Sequence, residues 1–307
     1  MIYIIKYNNK LKKRININNN NYKEFSETYT SIEIEIKPNN WTYGKFINID
    51  KENEIYYHIY FNNDEEEIKR NYLNKCEKIK TIKIIIDYQV ISFEKLFMDC
   101  ECIKYINIKK FYRNNITNMS YMFCDCKYLK ELNISNFNTN NVTDMEFMFF
   151  GCYLLEELNL SNLNTNSVTN MGEMFSRCSS LKELNLSNFN TTNANNMSGM
   201  FCGCSSLKDL NISNFNTNNA NYMKEMFRNC SSLKILDISN FNTNNAYNMD
   251  GMFFGCSSLI DLKIPNLNNM VTMKEMFYHC SEILIMKIKK NKNIKDEAFI
   301  NGNYYID

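Results

Sequence analysis

Proline is almost missing from this chain, with two in 307 residues, and glycine is sparse at eight. That excludes collagen-like and Pro/Gly-rich disordered classes. Histidine is limited to His58 and His279, in different regions. A Cys–His nucleophile pair would need one of them beside a reactive thiol, and a Cys/His metal site needs CxxC-type spacing that is absent. Phosphate-loop, GxGxxG, GxSxG and HExxH motifs are lacking too. The expectation is therefore no catalytic residue, no cofactor and no metal. Charge of one sign is also missing: 35 basic groups meet 34 acidic ones, for a net charge of +1. No region is basic enough to make nucleic acid or an anionic membrane the expected partner. No apolar run approaches the ~20 residues of a membrane helix. The start, MIYIIKYNNKLKKRI, is broken by Lys6 and has no signal-peptide layout. The C-terminus carries no lipidation signal. A soluble, monomeric cytoplasmic chain is expected.

The chain does have a repeat. Met-Phe recurs every 26 residues at Met122, Met148, Met174, Met200, Met226 and Met252, and 24 residues later at Met276. Leu96-Phe97 stands one step before the first. Cysteine keeps the same phase at 100, 126, 152, 178, 204, 230, 256 and 280, and leucine columns run through Leu129 to Leu259 and Leu132 to Leu262. Chance does not hold so many columns in register, so the period marks a stacked-repeat architecture.

One unit, LKELNISNFNTNNVTDMEFMFFGC, reads as strand, turn, short helix and return. Leu132 and Ile134 alternate with Asn133 and Ser135, the period of a half-buried strand. The stretch NFNTNN is a turn, since Asn accepts left-handed backbone and bonds nearby backbone. Met145, Met148, Phe149 and Cys152 follow at i, i+3, i+4 and i+7, which predicts two turns of amphipathic helix. Ordering 26 residues costs about 1–2 kcal/mol each in backbone entropy. The roughly eight apolar side chains of one unit return only about 1.5–3 kcal/mol apiece. A unit is thus unstable until neighbours cover both faces. The expected fold is an α/β solenoid, a right-handed superhelix with a parallel sheet on one face and short helices on the other.

The pattern LxxLxLSxFxTxxVTxMxxMFxxCxSL resembles the leucine-rich repeats of BspA-like surface proteins over roughly residues 91–285. The resemblance implies a leucine-rich-repeat-like fold and a role in binding or adhesion, with a cell-surface adhesin as the alternative to a cytoplasmic module. Phe137, Leu163 and Phe189 fill the slot where such repeats usually carry an Asn ladder.

Three regions are expected: residues 1–75 as an N-terminal β-rich cap, 76–285 as the solenoid, and 286–307 as a helical C-terminal cap. TSIEIEIK (30–37) and IYYHIYF (55–61) read as strands, and DEEEIKR (64–70) opens a helix ending near Cys76. Residues 76–99 form a degenerate first coil, because Cys76, Ile79, Ile82 and Ile84 echo Cys100, Ile103, Ile106 and Ile108 at an offset of 24. NIKDEAFING reads as a terminal helix closing the last coil. The column cysteines share the phase of Met and Phe and are expected in the core.

The candidate binding residues lie on the strand's outward positions. Asn133, Asn159, Asn185, Asn211 and Asp237 form one ladder, and Glu157, Glu183 and Asp209 an acidic stripe beside it. One reading is a solvated face that bonds along itself. The other is a rigid polar platform for a protein or glycan partner.

Overall fold

The computed structural model describes residues 31–39, 42–267, 271–291 and 293–300. The N-terminal stretch 1–30 of the expected cap, and Asn301 and Gly302 of the expected terminal helix, lie outside them. Alternating isoleucines build the first sheet. Strand β1 (Ile32–Pro38) buries every second residue, as do β3 (Tyr57–Phe61) and β5 (Ile82–Ile86). With β6 (Ile103–Lys110) and β7 (Glu131–Asn133) they form one sheet of order β3-β5-β1-β6-β7. Pairing is antiparallel up to β6, and Ile34 sits between Ile84 and Ile108. Parallel pairing begins at β6–β7, with Ile106 opposite Leu132. Strands β2 (Gly44–Lys45) and β4 (Tyr72–Leu73) make a small second pair, and β8 (Ile235–Asp237) and β9 (Asp261–Lys263) a parallel third.

Residues 76–99 divide between two structures. Strand β5 joins the N-terminal sheet, with β1 inserted between it and β6. The second half stacks on the repeats: Ser92 bridges Asn118, and the N–H groups of Phe93, Lys95, Phe97 and Asp99 donate to the next coil.

Among the described residues, the Met-Phe segments of the repeat contain no α-helix. The Met-Phe segment is a run of tight turns, with left-handed backbone at two positions four apart: Tyr121 and Asp125, Phe147 and Gly151, Glu173 and Arg177, Gly199 and Gly203. Half of its N–H groups stay within the coil, as Met122 N–H donates to Met119 O (3.3 Å) and Cys126 N–H to Phe123 O (3.2 Å). The other half cross to the next coil: Met119, Tyr121, Phe123 and Asp125 donate to Asp144, Glu146, Met148 and Phe150 carbonyls at 3.0, 2.8, 2.9 and 2.7 Å. A helix would have left only the N–H groups of its first turn without an internal partner, whereas here alternate N–H groups along the whole segment leave the coil. Spacing at i, i+3, i+4 and i+7 suits both geometries, because either brings those side chains to one side. The expected helical face is therefore a ladder of turns.

The expected continuous parallel sheet is also reduced. Three-residue strands form at β7, β8 and β9, while the equivalent segments of the middle coils lie slightly apart. Lys182 N–H to Glu156 O and Lys208 N–H to Lys182 O are both 3.4 Å, against 2.9 Å for Lys130 to Lys104.

Side chains repeat the stacking. Phe97, Phe123, Phe149, Phe175, Phe201, Phe227, Phe253, Phe277 and Phe299 form a pile of rings, with successive centroids 5.5 to 5.8 Å apart. The column cysteines are more than apolar filler. From Cys126 on, each thiol donates to a phenylalanine carbonyl of the preceding coil: Cys152 to Phe123 (3.2 Å), Cys178 to Phe149 (3.1 Å), Cys204 to Phe175 (3.1 Å). Buried threonines clasp the following coil from both sides. Thr165 Oγ donates to Asn190 O (2.9 Å) and accepts from Asn190 N–H (2.8 Å). An Asn ladder exists after all, one residue before the Phe137 column. Asn188 donates to Leu160 and Leu163 carbonyls (2.9 and 2.8 Å), and Asn214 to Leu186 and Phe189 (3.0 and 2.7 Å).

Two further expectations change. Residues 64–76 form no helix, since Asn62 and Asn63 turn the chain with positive φ and Ile68 N–H bonds Ile59 O (2.7 Å), covering the edge of β3. The C-terminal helix α1 (Glu282–Ile288) lies earlier than expected, capped by Ser281, with Leu284 and Ile288 buried. Among the described residues of NIKDEAFING, Asp296–Ala298 is helical, as one 3-10 turn. That segment closes the stack another way: Glu297 and Ala298 carbonyls accept the Glu275 and Phe277 N–H groups (2.9 and 2.7 Å). These are the donors that a further coil would have taken.

Two predictions follow from the turn ladder and the thiol column. Asp125 holds φ +52° in the column occupied elsewhere by Gly151, Gly203 and Gly255. A non-glycine residue in that conformation costs about 1–2 kcal/mol. Asp125→Gly should raise the melting temperature and Gly203→Ala should lower it; equal losses in thermal unfolding would show that turn conformation does not govern these columns. Cys76 is exposed, whereas Cys178 is buried and desolvation pushes its thiol up to about 12. Alkylation of the native protein should modify Cys76 rapidly and Cys178 only after unfolding, and mass mapping of the labelled sites checks this.

Candidate functional site

The outward strand positions form the broadest regular surface of the repeats. In each coil an inward leucine (Leu158, Leu184, Leu210) pins the segment to the core and turns both neighbours outward. Asn133, Asn159, Asn185, Asn211, Asp237, Glu157, Glu183 and Asp209 are all exposed. The 26-residue repeat brings them into columns, one member per coil. Each Asn or Asp of the first column is held by its own chain. Its side-chain oxygen accepts the N–H of the serine two residues on: Ser135 (3.1 Å), Ser161 (3.0 Å), Ser187 (3.0 Å), Ser213 (3.1 Å) and Ser239 (3.0 Å). The ladder is thus partly structural, since it satisfies backbone donors, and it also fixes each side chain's direction.

Charge on this face changes along the stack. Glu131, Glu157, Glu183 and Asp209 occupy one outward column, and Ile235, 61% exposed, takes the place next in line. In the adjoining column the Lys263 ammonium bonds Asp237 (2.8 Å) and, with the Ser239 hydroxyl and N–H, holds that carboxyl well below the usual range. Asp209–Ser213 and the facing Ile235–Asn240 segment border a shallow groove of about 490 Å³. The break at Ile235 is carried by the sequence, because ILDIS alternates and places Ile235 outward in an otherwise acidic column.

The other chemically distinctive side chains have structural partners. His58 lies between Glu67 (3.0 Å) and Asp87 (3.3 Å), and the His279 ring packs on Tyr278 and Phe254. Burial raises the pKa of the column thiols, which disfavours the thiolate that nucleophilic or metal chemistry uses. Arg113 is buried, donates to the Asp87 carbonyl and faces the Tyr88 ring; desolvation lowers its pKa to about 10. Among the described residues no group of three or more His, Cys, Asp or Glu is placed to hold a metal ion, and no helix is long and apolar enough to cross a membrane.

Residues 91–185 and 180–290 each match the family model described as Mycoplasma protein of unknown function, DUF285. The chain belongs to this family. The matched span coincides with the stacked coils, beginning at the turn half of the first and ending just past α1. No curated protein matches the chain. Among solved structures it is similar to a leucine-rich repeat protein from Bacteroides ovatus ATCC 8483, at 18% identity and a TM-score of 0.45. That likeness covers 73% of this chain and 56% of the other.

The turn segments carry half-buried carboxylates, and these generate a pH prediction. Burial raises the pKa of Glu173, and Glu225 adds to the shift, while the Ser176 hydroxyl and Arg177 oppose it. A carboxyl whose pKa is higher in the folded state favours folding when protonated, and that contribution is lost as pH rises through its folded value. Glu173→Gln should therefore change stability little at about pH 3 and raise the urea midpoint at about pH 7. A midpoint shift equal at both pH values would remove the electrostatic account.

Proposed function

We propose that the chain is a non-enzymatic interaction module, a leucine-rich-repeat-like solenoid of BspA type, that binds a protein or glycan partner on its outward strand face. One observation carries this reading: the exposed Asn/Asp column is oriented in advance by its own Asx hydrogen bonds. Side chains already held in place lose little entropy on binding. The face is also broad, and contact energy concentrates near the middle of a patch, which places Asn159, Asn185 and Asn211 at its centre. A reducing, cytoplasmic setting fits the thiol column, because those cysteines serve as S–H donors and an oxidised pair could not.

The test uses a charge change that keeps the local bond. Asp237 accepts from Ser239 as the column's asparagines do from their serines, so Asn159→Asp, Asn185→Asp and Asn211→Asp together preserve the turn. This triple variant should lose partner capture in a quantitative pull-down from the native cell, with its circular dichroism spectrum unchanged. Lys224→Glu with Lys274→Glu, on exposed positions of the turn segments, should capture as the wild type does. Loss in the second variant and retention in the first would move the binding surface to the turns.

A further inference from the structure

At the N-terminal end of the strand face lies a cleft of about 640 Å³, where the first sheet meets the first coils. Lys37, Lys80, Lys104 and Lys130 line it, with the rings of Tyr105 and Tyr128. Their convergence follows from strand pairing. Lys37 on β1 is opposite Tyr105 on β6, with its ammonium 4.5 Å from the ring centroid. Lys130 N–H donates to Lys104 O (2.9 Å), which sets those two lysines side by side in successive coils. Lys80 arrives from the loop before β5, held by its N–H bond to the Asn62 side chain (2.7 Å).

These four ammonium groups differ from their neighbours. Lys109 pairs with Glu35 (2.6 Å), Lys110 with Glu33 (3.7 Å) and Lys127 with Glu101 (2.6 Å). Among the described residues no ion pair engages Lys37, Lys80, Lys104 or Lys130, and Glu131 at the rim is the single acidic residue lining the cleft. Four ammonium groups lining one cleft, against the single lining carboxylate of Glu131, favour an anion. The tyrosines supply apolar and hydrogen-bonding surface beside it.

The next coils limit what that anion can be. Glu131, Glu157, Glu183 and Asp209 lead away from the cleft at one carboxylate per coil, about 4.8 Å apart. A long uniform polyanion, such as nucleic acid or an anionic membrane, would meet these carboxylates beyond the cleft, where exposed Lys182 and Lys208 stand beside Glu183 and Asp209. A short acidic stretch followed by basic residues would complement both halves.

We infer that this cleft anchors the acidic side chains of an extended segment of a partner protein, whose basic continuation lies along the Glu157–Glu183–Asp209 column. The inference rests on the reading of the strand face as the interaction surface and adds the chemistry and direction of what binds there. Exposed Tyr128 and Leu154 flank the cleft and pack against the segment's aliphatic atoms.

The experiment is fluorescence anisotropy on the full chain at low ionic strength. The probe is a labelled peptide of four glutamates followed by four lysines. It should bind, more tightly than an octaglutamate, and added salt should weaken it. Lys104→Glu with Lys130→Glu should lower affinity by about tenfold or more. Lys208→Glu with Lys234→Glu, from the same repeat column but outside the cleft, should not lower it. The inference is overturned by absence of peptide binding, by equal loss in the two variants, by an octaglutamate that binds as well, or by a 20-nucleotide single-stranded DNA or phosphatidylserine vesicles that do so. If the peptide fails while the Asn159/Asn185/Asn211 variant still loses its native partner, the face remains the binding surface and this assignment of its ligand falls.

Discussion

The structure depends on where alternate backbone N–H groups go. In each coil before the last, four N–H groups of the Met-Phe segment leave their own coil and end on carbonyls of the next. Each such bond contributes about 0.5–1.5 kcal/mol net, and leaving its donor buried and unpaired costs about 1–3 kcal/mol. The segment therefore cannot be satisfied alone, and a coil forms only beside another. This is why both ends need closure. At the C-terminus, Glu297 and Ala298 supply the carbonyls that the last turns require, and Phe299 ends the ring pile.

The polar columns extend the same logic into side chains. Thr165 clasps Asn190, Asn188 reaches back to Leu160 and Leu163, and Cys178 donates to Phe149, all across one coil boundary. Such bonds need a fixed offset between coils, so they hold the register that the apolar columns alone would leave loose. They also explain the asparagine content. Asn offers an acceptor for its own turn and a donor for the neighbouring coil, and it tolerates the backbone that the turns impose. Much of the repeat's polarity is thus committed to holding the stack.

The strand side is where side chains escape that commitment. Its Asn/Asp column spends one oxygen on a local bond, and its acidic column makes no comparable bond across coils. The N-terminal sheet alters this surface by setting lysines of β1 and the preceding loop beside those of the first coils. The result is a cluster of lysines at one end of the face, which no single repeat possesses.

The period, the columns and the inward–outward alternation were all legible in the chain itself, because each is a property of one unit copied along it. Leu158 is inward and Glu157 and Asn159 outward by alternation alone, and the expected core column Cys178 is buried. The conformation between Met145 and Cys152 was not legible. Its apolar spacing serves a helix and a double turn equally, and the choice turns on whether N–H groups bond within the coil or beyond it. Glycines at 151, 199, 203, 251 and 255 were the local sign, since left-handed positions recur there. The cleft was hidden for a different reason. Lys37 stands outside the column that Lys80, Lys104 and Lys130 share, and only the insertion of β1 between β5 and β6 brings it among them. Long-range strand order decides such a meeting, and a repeat pattern carries no record of it.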